Sequence, residues 1–233
     1  MTIITGTLDY GHGHLSPFAQ VLSDQLGIPV ERVRLLQGDS DELIAGGGTG
    51  GSRSLVASGA AILEAGDRVI EKAKSLAGTE LEAAEADLEF ANGRFTIVGT
   101  DRSIGLLELA AMSPGALDVR HKAEGKAPTY PNGCHIAEVE VDPETGVVEL
   151  VSYLAAGDFG ILVNPMLVEG QIHGGVVQGF GQIVMERVVF DEDGQLLSGS
   201  FMDYALPRAA DVPSFRYLSH PVPARTNPLG SKG

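Results

Sequence analysis

Thirty-one of the 233 residues are glycine, about twice the usual share, and they are gathered rather than scattered. They fall at Gly11-His12-Gly13, between Gly46 and Gly51, and between Gly170 and Gly181. Clustered glycine outside a repeat means tight turns, close backbone packing, or amides presented to a ligand. With 43% hydrophobic residues a substantial core is available, which excludes global disorder. The chain therefore reads as packed elements interrupted by loops whose backbone is used.

Periodicity orders those elements. Residues 2–8 read as a strand, followed by a loop through His14. Ser16 is a plausible helix cap with Pro17 at the first helical position, and Phe18, Val21, Leu22 and Leu26 share one face before Gly27. Residues 30–37 read as the next strand, and residues 52–77 as a helix after the second glycine block. Asn92-Gly93 marks a hairpin, and residues 106–112 a short helix. Residues 136–141 and 147–154 alternate around Asp142-Pro143-Glu144-Thr145-Gly146, the clearest hairpin in the chain. Asn164-Pro165 opens a long helix to about residue 184, and Asp193-Gly194 marks a last hairpin before a Pro-rich, irregular tail. The fold class is α+β: two lobes of helices packed on mixed or antiparallel sheets, residues 1–126 and 127–233, divided at the Pro/Gly-rich stretch beginning Lys126-Ala127-Pro128.

Charge and cysteine content narrow the function. Thirty-one acidic against 16 basic residues give a net charge of −15, a surface that repels phosphate backbones and anionic lipid. Neither nucleic acid nor membrane is an expected partner. No apolar run is long enough for a bilayer, the N-terminus lacks a signal-peptide pattern, and the single Cys134 fits a reducing compartment, so the expected location is cytoplasmic.

Each glycine block suggests chemistry. Gly11, His12, Gly13 and His14 form a loop before a helix, where amides and imidazoles can face a polar cofactor. His12 and His14 have metal-ligand spacing, but with neither a Cys nor clustered carboxylates to complete a four-ligand set, no metal site is assigned. Gly50, Gly51, Ser52, Arg53 and Ser54 end a glycine run that enters a helix directly, an anion cradle with a guanidinium beside it. It is not a Walker loop, since no Gly-Lys-Ser/Thr follows, nor a Rossmann turn. Gln171, Gln178 and Gln182 share one helical face among glycines, where cofactor hydrogen bonding competes with a merely exposed polar face. No Gly-x-Ser-x-Gly elbow supports a hydrolase.

Together these blocks resemble the molybdopterin-binding large subunits of the molybdenum hydroxylases: xanthine dehydrogenases, aldehyde oxidases and aerobic carbon monoxide dehydrogenases. Tyr10-Gly11-His12-Gly13-His14 with Phe18-Ala19-Gln20 looks like the family's first cofactor loop and helix. Gly48-Thr49-Gly50-Gly51-Ser52-Arg53-Ser54 resembles its second. Glu169-Gly170-Gln171 to Gln178-Gly179, and Thr226-Asn227-Pro228-Leu229-Gly230-Ser231-Lys232-Gly233, continue the match in collinear order.

The resemblance implies a molybdopterin cofactor, in bacteria usually the cytosine dinucleotide, carrying molybdenum. It implies hydroxylation of aldehydes or N-heterocycles, with electrons leaving through iron–sulfur and FAD subunits or domains. It adds Gln178 and Lys232 to the cofactor-binding candidates. His12 stands where the family carries Gln. The family's catalytic glutamate follows the equivalent of Lys232-Gly233, so no catalytic residue is expected within these 233 residues. The chain is read as a truncated C-terminal piece of the large subunit, inactive and without cofactor by itself, and prone to self-association. The rival reading is a non-catalytic binding or assembly module on the same scaffold.

Overall fold

β1 (Thr2–Thr5) alternates exposed and buried residues, turning Ile3 and Thr5 inward. It pairs in parallel with β2 (Arg34–Gln37), from Thr2↔Arg34 to Thr5↔Gln37. Parallel pairing needs a crossover, which α1 (Leu15–Leu26) supplies. Phe18, Val21, Leu22 and Leu26 are all buried, as their spacing predicts. Gly27 ends the helix at φ 60°, its N–H bonded to Ser23 O. The start differs from the prediction. His14 is the cap and Pro17 occupies the third helical position, which is tolerated because first-turn N–H groups have no intrahelical acceptor. The strand predicted from residue 30 begins only at Arg34, because Val30–Arg32 forms a 3-10 turn after Pro29.

A π-helical turn, Leu55–Gly59, leads into α2 (Ala60–Glu80). Ile62, Gly66, Val69, Ala73 and Ala77 make its buried stripe. Gly66 permits the close approach of α1, since a Cβ there would stand 2.9 Å from Gln25 Cγ. β3 (Leu88–Ala91), β4 (Arg94–Ile97) and β5 (Ser103–Gly105) form an antiparallel sheet, followed by α3 (Leu106–Met112). β5 escapes sequence reading because three residues carry no periodicity. Phe18, Leu26, Phe95, Leu106 and Leu109 are fully enclosed. Truncating such a side chain to Ala typically removes about 2–5 kcal/mol.

The computed structural model describes residues 1–123 and 128–233, so the lobe boundary expected at Lys126-Ala127 lies outside the described residues. Two units emerge: Met1–Tyr130 together with Pro223–Gly233, and Pro131–Val222. The final segment, grouped by sequence with the second lobe, clusters with the first. Gly233 N–H donates to Thr129 Oγ1 at 3.2 Å, and Leu229 packs against Gly59.

The second unit is built on β6 (Asn132–Val141), β7 (Val148–Asp158) and β8 (Phe215–Ser219). β6 and β7 are antiparallel, and the Asp142 carboxylate organises their turn by accepting from Glu144 N–H at 2.8 Å. β8 runs parallel to β7 inside the tail expected to be irregular. Its five residues are hidden in sequence by flanking prolines. α4 (Pro165–Phe180) starts as predicted, Asn164 Oδ1 accepting from Leu167 N–H at 3.1 Å with Pro165 first in the helix. It continues into a π-helical turn, Gly181–Met185. The hairpin expected at Asp193-Gly194 reduces to one bridge, Phe190↔Leu196. The layered α+β architecture is thus present in both units.

A close backbone contact in the first unit joins α1's end to the β3–β4 turn. Gly27 and Gly93 touch, and a Cβ on Gly93 would stand 2.5 Å from Gly27 O. Gly93 also sits at φ 74° beside Asn92 at φ 48°, the left-handed pair of a tight hairpin turn. Gly93→Ala should therefore destabilise the chain by about 3 kcal/mol or more in urea unfolding. Gly99→Ala, at φ 79° with open space around it, should cost only about 1 kcal/mol. Equal effects would mean that the crowding at Gly27 is not what restricts position 93.

Candidate functional site

The first glycine loop closes on its own carboxylate. Asp9 Oδ1 accepts from Gly11 N–H at 2.8 Å and Gly13 N–H at 3.2 Å, and Oδ2 accepts from His14 N–H at 2.8 Å. Gly11 and Gly13 sit at φ 107° and 71°, which is what lets the amides converge. Partial burial pushes the Asp9 carboxyl up. Backbone hydrogen bonds from Gly11, His14, Gly13 and His12 outweigh it and hold the group at about 2, below its ordinary 3.8. The amides expected to face a ligand are occupied by an internal anion.

The two imidazoles stack. His12 and His14 lie 4.9 Å apart at 6°, and His14 stacks in turn on Phe18 at 5.3 Å. His14 is buried and its Nδ1 lies 3.1 Å from Gln37 Nε2. Burial pushes its pKa down, the Asp9 carboxylate pulls it up and His12 pushes it down, for a net lowering from 6.5. His14 is accordingly neutral at neutral pH. His12 is partly exposed, its Nδ1 accepting from Tyr10 N–H at 3.2 Å and lying 3.7 Å from Asp9 Oδ1. Asp9 is the site residue that sequence reasoning misses. It lies three residues before His12, and a search for clustered carboxylates passes over a single one. One ligand atom from each of Asp9, His12 and His14 lies within 4.8 Å of the others.

The second loop has the opposite character. Gly48 and Gly51 take φ 67° and 66°, and Cβ atoms on Gly48, Gly50 and Gly51 would meet nothing within 4 Å. Ser52, at φ 51°, holds a left-handed conformation that costs a non-glycine residue of order 1 kcal/mol. Among the described residues the amides of Gly50, Gly51 and Ser52 have no acceptor, and Arg53 has no ion-pair partner. Arg53 is exposed, and its guanidinium reaches back toward Gly47. Ser54 is half-buried just before the π-helical turn. The C-terminal segment backs the loop: Gly233 touches Ser52, placing Lys232 next to it in the chain. Ser231 is enclosed, its carbonyl accepting from Asn227 Nδ2 at 2.9 Å. Asn227 Oδ1 is buried with no hydrogen-bond partner among the described residues.

The two loops are joined at the end of β1. Gly48 N–H donates to Gly6 O at 3.0 Å and Leu8 N–H to Thr49 Oγ1 at 3.0 Å, while Gly6 and Gly46 meet backbone to backbone. Gly11 to His14, Gly50 to Ser54 and Lys232 therefore belong to one unit. Gln178 belongs to the other, exposed on α4. Around it, Gly170, Gly174, Gly175 and Gly179 face open space, and no residue of α4 is buried.

A family model for the molybdopterin cofactor-binding domain matches residues 1–213. The carbon monoxide dehydrogenase large chain of Hydrogenophaga pseudoflava is 34% identical over 238 residues, covering 98% of this chain and 30% of that protein. The 6-hydroxypseudooxynicotine dehydrogenase complex subunit gamma of Paenarthrobacter nicotinovorans is 35% identical over 246 residues, covering 100% and 31%. Reconstituted CO dehydrogenase from Oligotropha carboxidovorans matches with a TM-score of 0.86 at 33% identity, covering 100% of this chain and 30% of that one. Quinoline 2-oxidoreductase from Pseudomonas putida 86 matches with a TM-score of 0.82 at 33% identity. The chain belongs to the molybdopterin cofactor-binding domain family of the molybdenum hydroxylases, and it spans about 30% of the length of these relatives. No described helix is long and apolar enough to cross a membrane.

The Asp9 hydrogen bonds carry a pH signature. A carboxyl held lower in the folded than in the unfolded state stabilises the fold fully above its unfolded pKa, and that stabilisation is lost as pH falls through the folded value. The stability difference between the wild type and Asp9→Asn should be constant above about pH 5. It should shrink from pH 3.8 toward 2 and vanish below. A difference unchanged down to pH 2 would mean the loop amides do not hold the carboxylate.

Proposed function

We propose that this chain is the diphosphate-gripping part of a molybdenum hydroxylase large subunit. The observation that carries the reading is the second loop: unclaimed amides at Gly50, Gly51 and Ser52, an unpaired Arg53, and the Asn227-to-Gly233 segment behind them. Donors fixed before binding lower the entropy cost of holding an anion. Ser52 and Ser54 add hydroxyls, Arg53 a planar charge-assisted fork and Lys232 a second cation. The open space at these glycines fits a ligand oxygen approaching the backbone. The buried, unpartnered Asn227 Oδ1 fits a donor group from the same ligand.

When bound, the pterin dinucleotide would supply the redox chemistry through its molybdenum. This chain's part is to bind and orient it. The cofactor form proposed is the cytosine dinucleotide, and the reaction hydroxylation of an aldehyde or N-heterocycle in the cytoplasm, with iron–sulfur and FAD partners taking the electrons. Names of relatives support this at the level of class: one is a carbon monoxide dehydrogenase, another the gamma subunit of a 6-hydroxypseudooxynicotine dehydrogenase complex. The first loop would contribute its imidazoles to the same grip and not its amides, because Asp9 already holds the amides of Gly11, Gly13 and His14. On α4, the open glycines beside Gln178 support a further contact with cofactor or with additional polypeptide.

Pyrophosphate and cytidine diphosphate, titrated into labelled protein, should shift the amides of residues 48–54 and 232. Arg53→Ala should weaken binding about tenfold or more, the worth of one charge-assisted hydrogen bond. Shifts confined to other residues, or an unaffected Arg53→Ala, would remove the second loop from the proposal. The second unit also exposes the large apolar side chains of Phe201 at 89%, Met202 at 94% and Ile183 at 84%, which are suited to burial against more protein. Light scattering should show concentration-dependent self-association of the isolated chain, and a monomer at high concentration would count against this.

A further inference from the structure

We propose that Asp9, His12 and His14 form a binding site for a single divalent transition-metal ion of the zinc type. The proposal does not rest on the pterin reading, since it uses imidazoles and a carboxylate rather than the open amides of residues 50–52. Two imidazoles and one carboxylate are a donor set used by zinc and its neighbours, whereas calcium and magnesium require oxygen-rich shells. Tetrahedral zinc, with bonds of about 2.1 Å, places its ligand atoms about 3.4 Å apart. Here they already lie within 4.8 Å of one another. The remaining distance, about 1.4 Å at most, is within reach of side-chain rotation at His12, which is partly solvent-accessible. The fourth position would be filled by water.

Two further observations bear on the site. The ligands are oriented from behind: three loop amides fix the Asp9 carboxylate, and the Gln37 side chain contacts His14 Nδ1. Gln37 Nε2 stands 3.1 Å from His14 Nδ1, which holds the ring in one orientation. Finally, His14 stacks on Phe18 and is held against α1, while His12 would turn out of its 6° stack on His14 to aim a ring nitrogen at the same ion. A metal here would add the Asp9 carboxylate to the metal-ligand spacing of His12 and His14.

The test is zinc titration of the whole chain, read by calorimetry and by competition with a chromogenic chelator. One ion per chain is expected, with affinity falling at least tenfold in His12→Gln and in Asp9→Asn. His135→Gln and His220→Gln, both at exposed residues of the other unit, should leave it unchanged. The ring nitrogens of His12 and His14 should shift in the wild-type protein on adding zinc, a readout that needs no variant to fold. Absence of stoichiometric binding, or binding that ignores His12→Gln while the rings of His12 and His14 stay unmoved, would overturn the proposal. Loss of zinc binding with pyrophosphate binding intact at residues 50–53, or the reverse, separates this site from the anion loop.

Discussion

The meeting of Gly6 with Gly46 is the contact on which the rest of the site depends. A side chain at either position would force the end of β1 away from the second glycine loop. Because both residues are glycine, the two loops lie side by side, tied by Gly48 to Gly6 and by Thr49 to Leu8. Each loop then feeds a helix, α1 or α2, and the packing of those helices through Gly66 fixes both loop ends on one rigid body. The strand–helix crossover thus serves mainly to hold two pieces of irregular backbone next to each other.

Those two pieces have complementary electrostatics. The first loop spends its amides on Asp9 and ends as a carboxylate beside two imidazoles. The second keeps its amides unspent and adds a guanidinium. Similar glycine spacing produces a cation-accepting surface in one case and an anion-accepting surface in the other. Much of the difference lies in Asp9, placed so that the chain's own carboxylate takes the loop amides a ligand's anion would otherwise hold.

Sequence made the helices and the hairpin turns legible, because the buried stripe of α1, the Asn92-Gly93 turn and the Asn164-Pro165 start are local signals. It also located both loops and, through collinear motifs, the family. What it left out was long-range. β8 pairs with β7 across more than fifty residues and is itself too short to be periodic. The return of Pro223–Gly233 to the first unit depends on contacts with Thr129, Ser52 and Gly59 that no local pattern encodes. Asp9 was invisible for a related reason: its role comes from the left-handed glycines that fold the amides back onto it, and these are conformations rather than residue types.

The split first unit has a consequence for synthesis on the ribosome. Asn227, Ser231 and Gly233, which back the second loop, are made only after Met1–Tyr130 and the 92 residues of Pro131–Val222. At roughly 5–20 residues per second, about 5–20 s separate the synthesis of Tyr130 from that of Gly233. During that interval the helices and β1–β2 can assemble while residues 50–54 lack their backing. The anion-accepting surface thereby depends on synthesis having passed Gly233, so a nascent chain cannot present that surface in finished form before the second unit has been made.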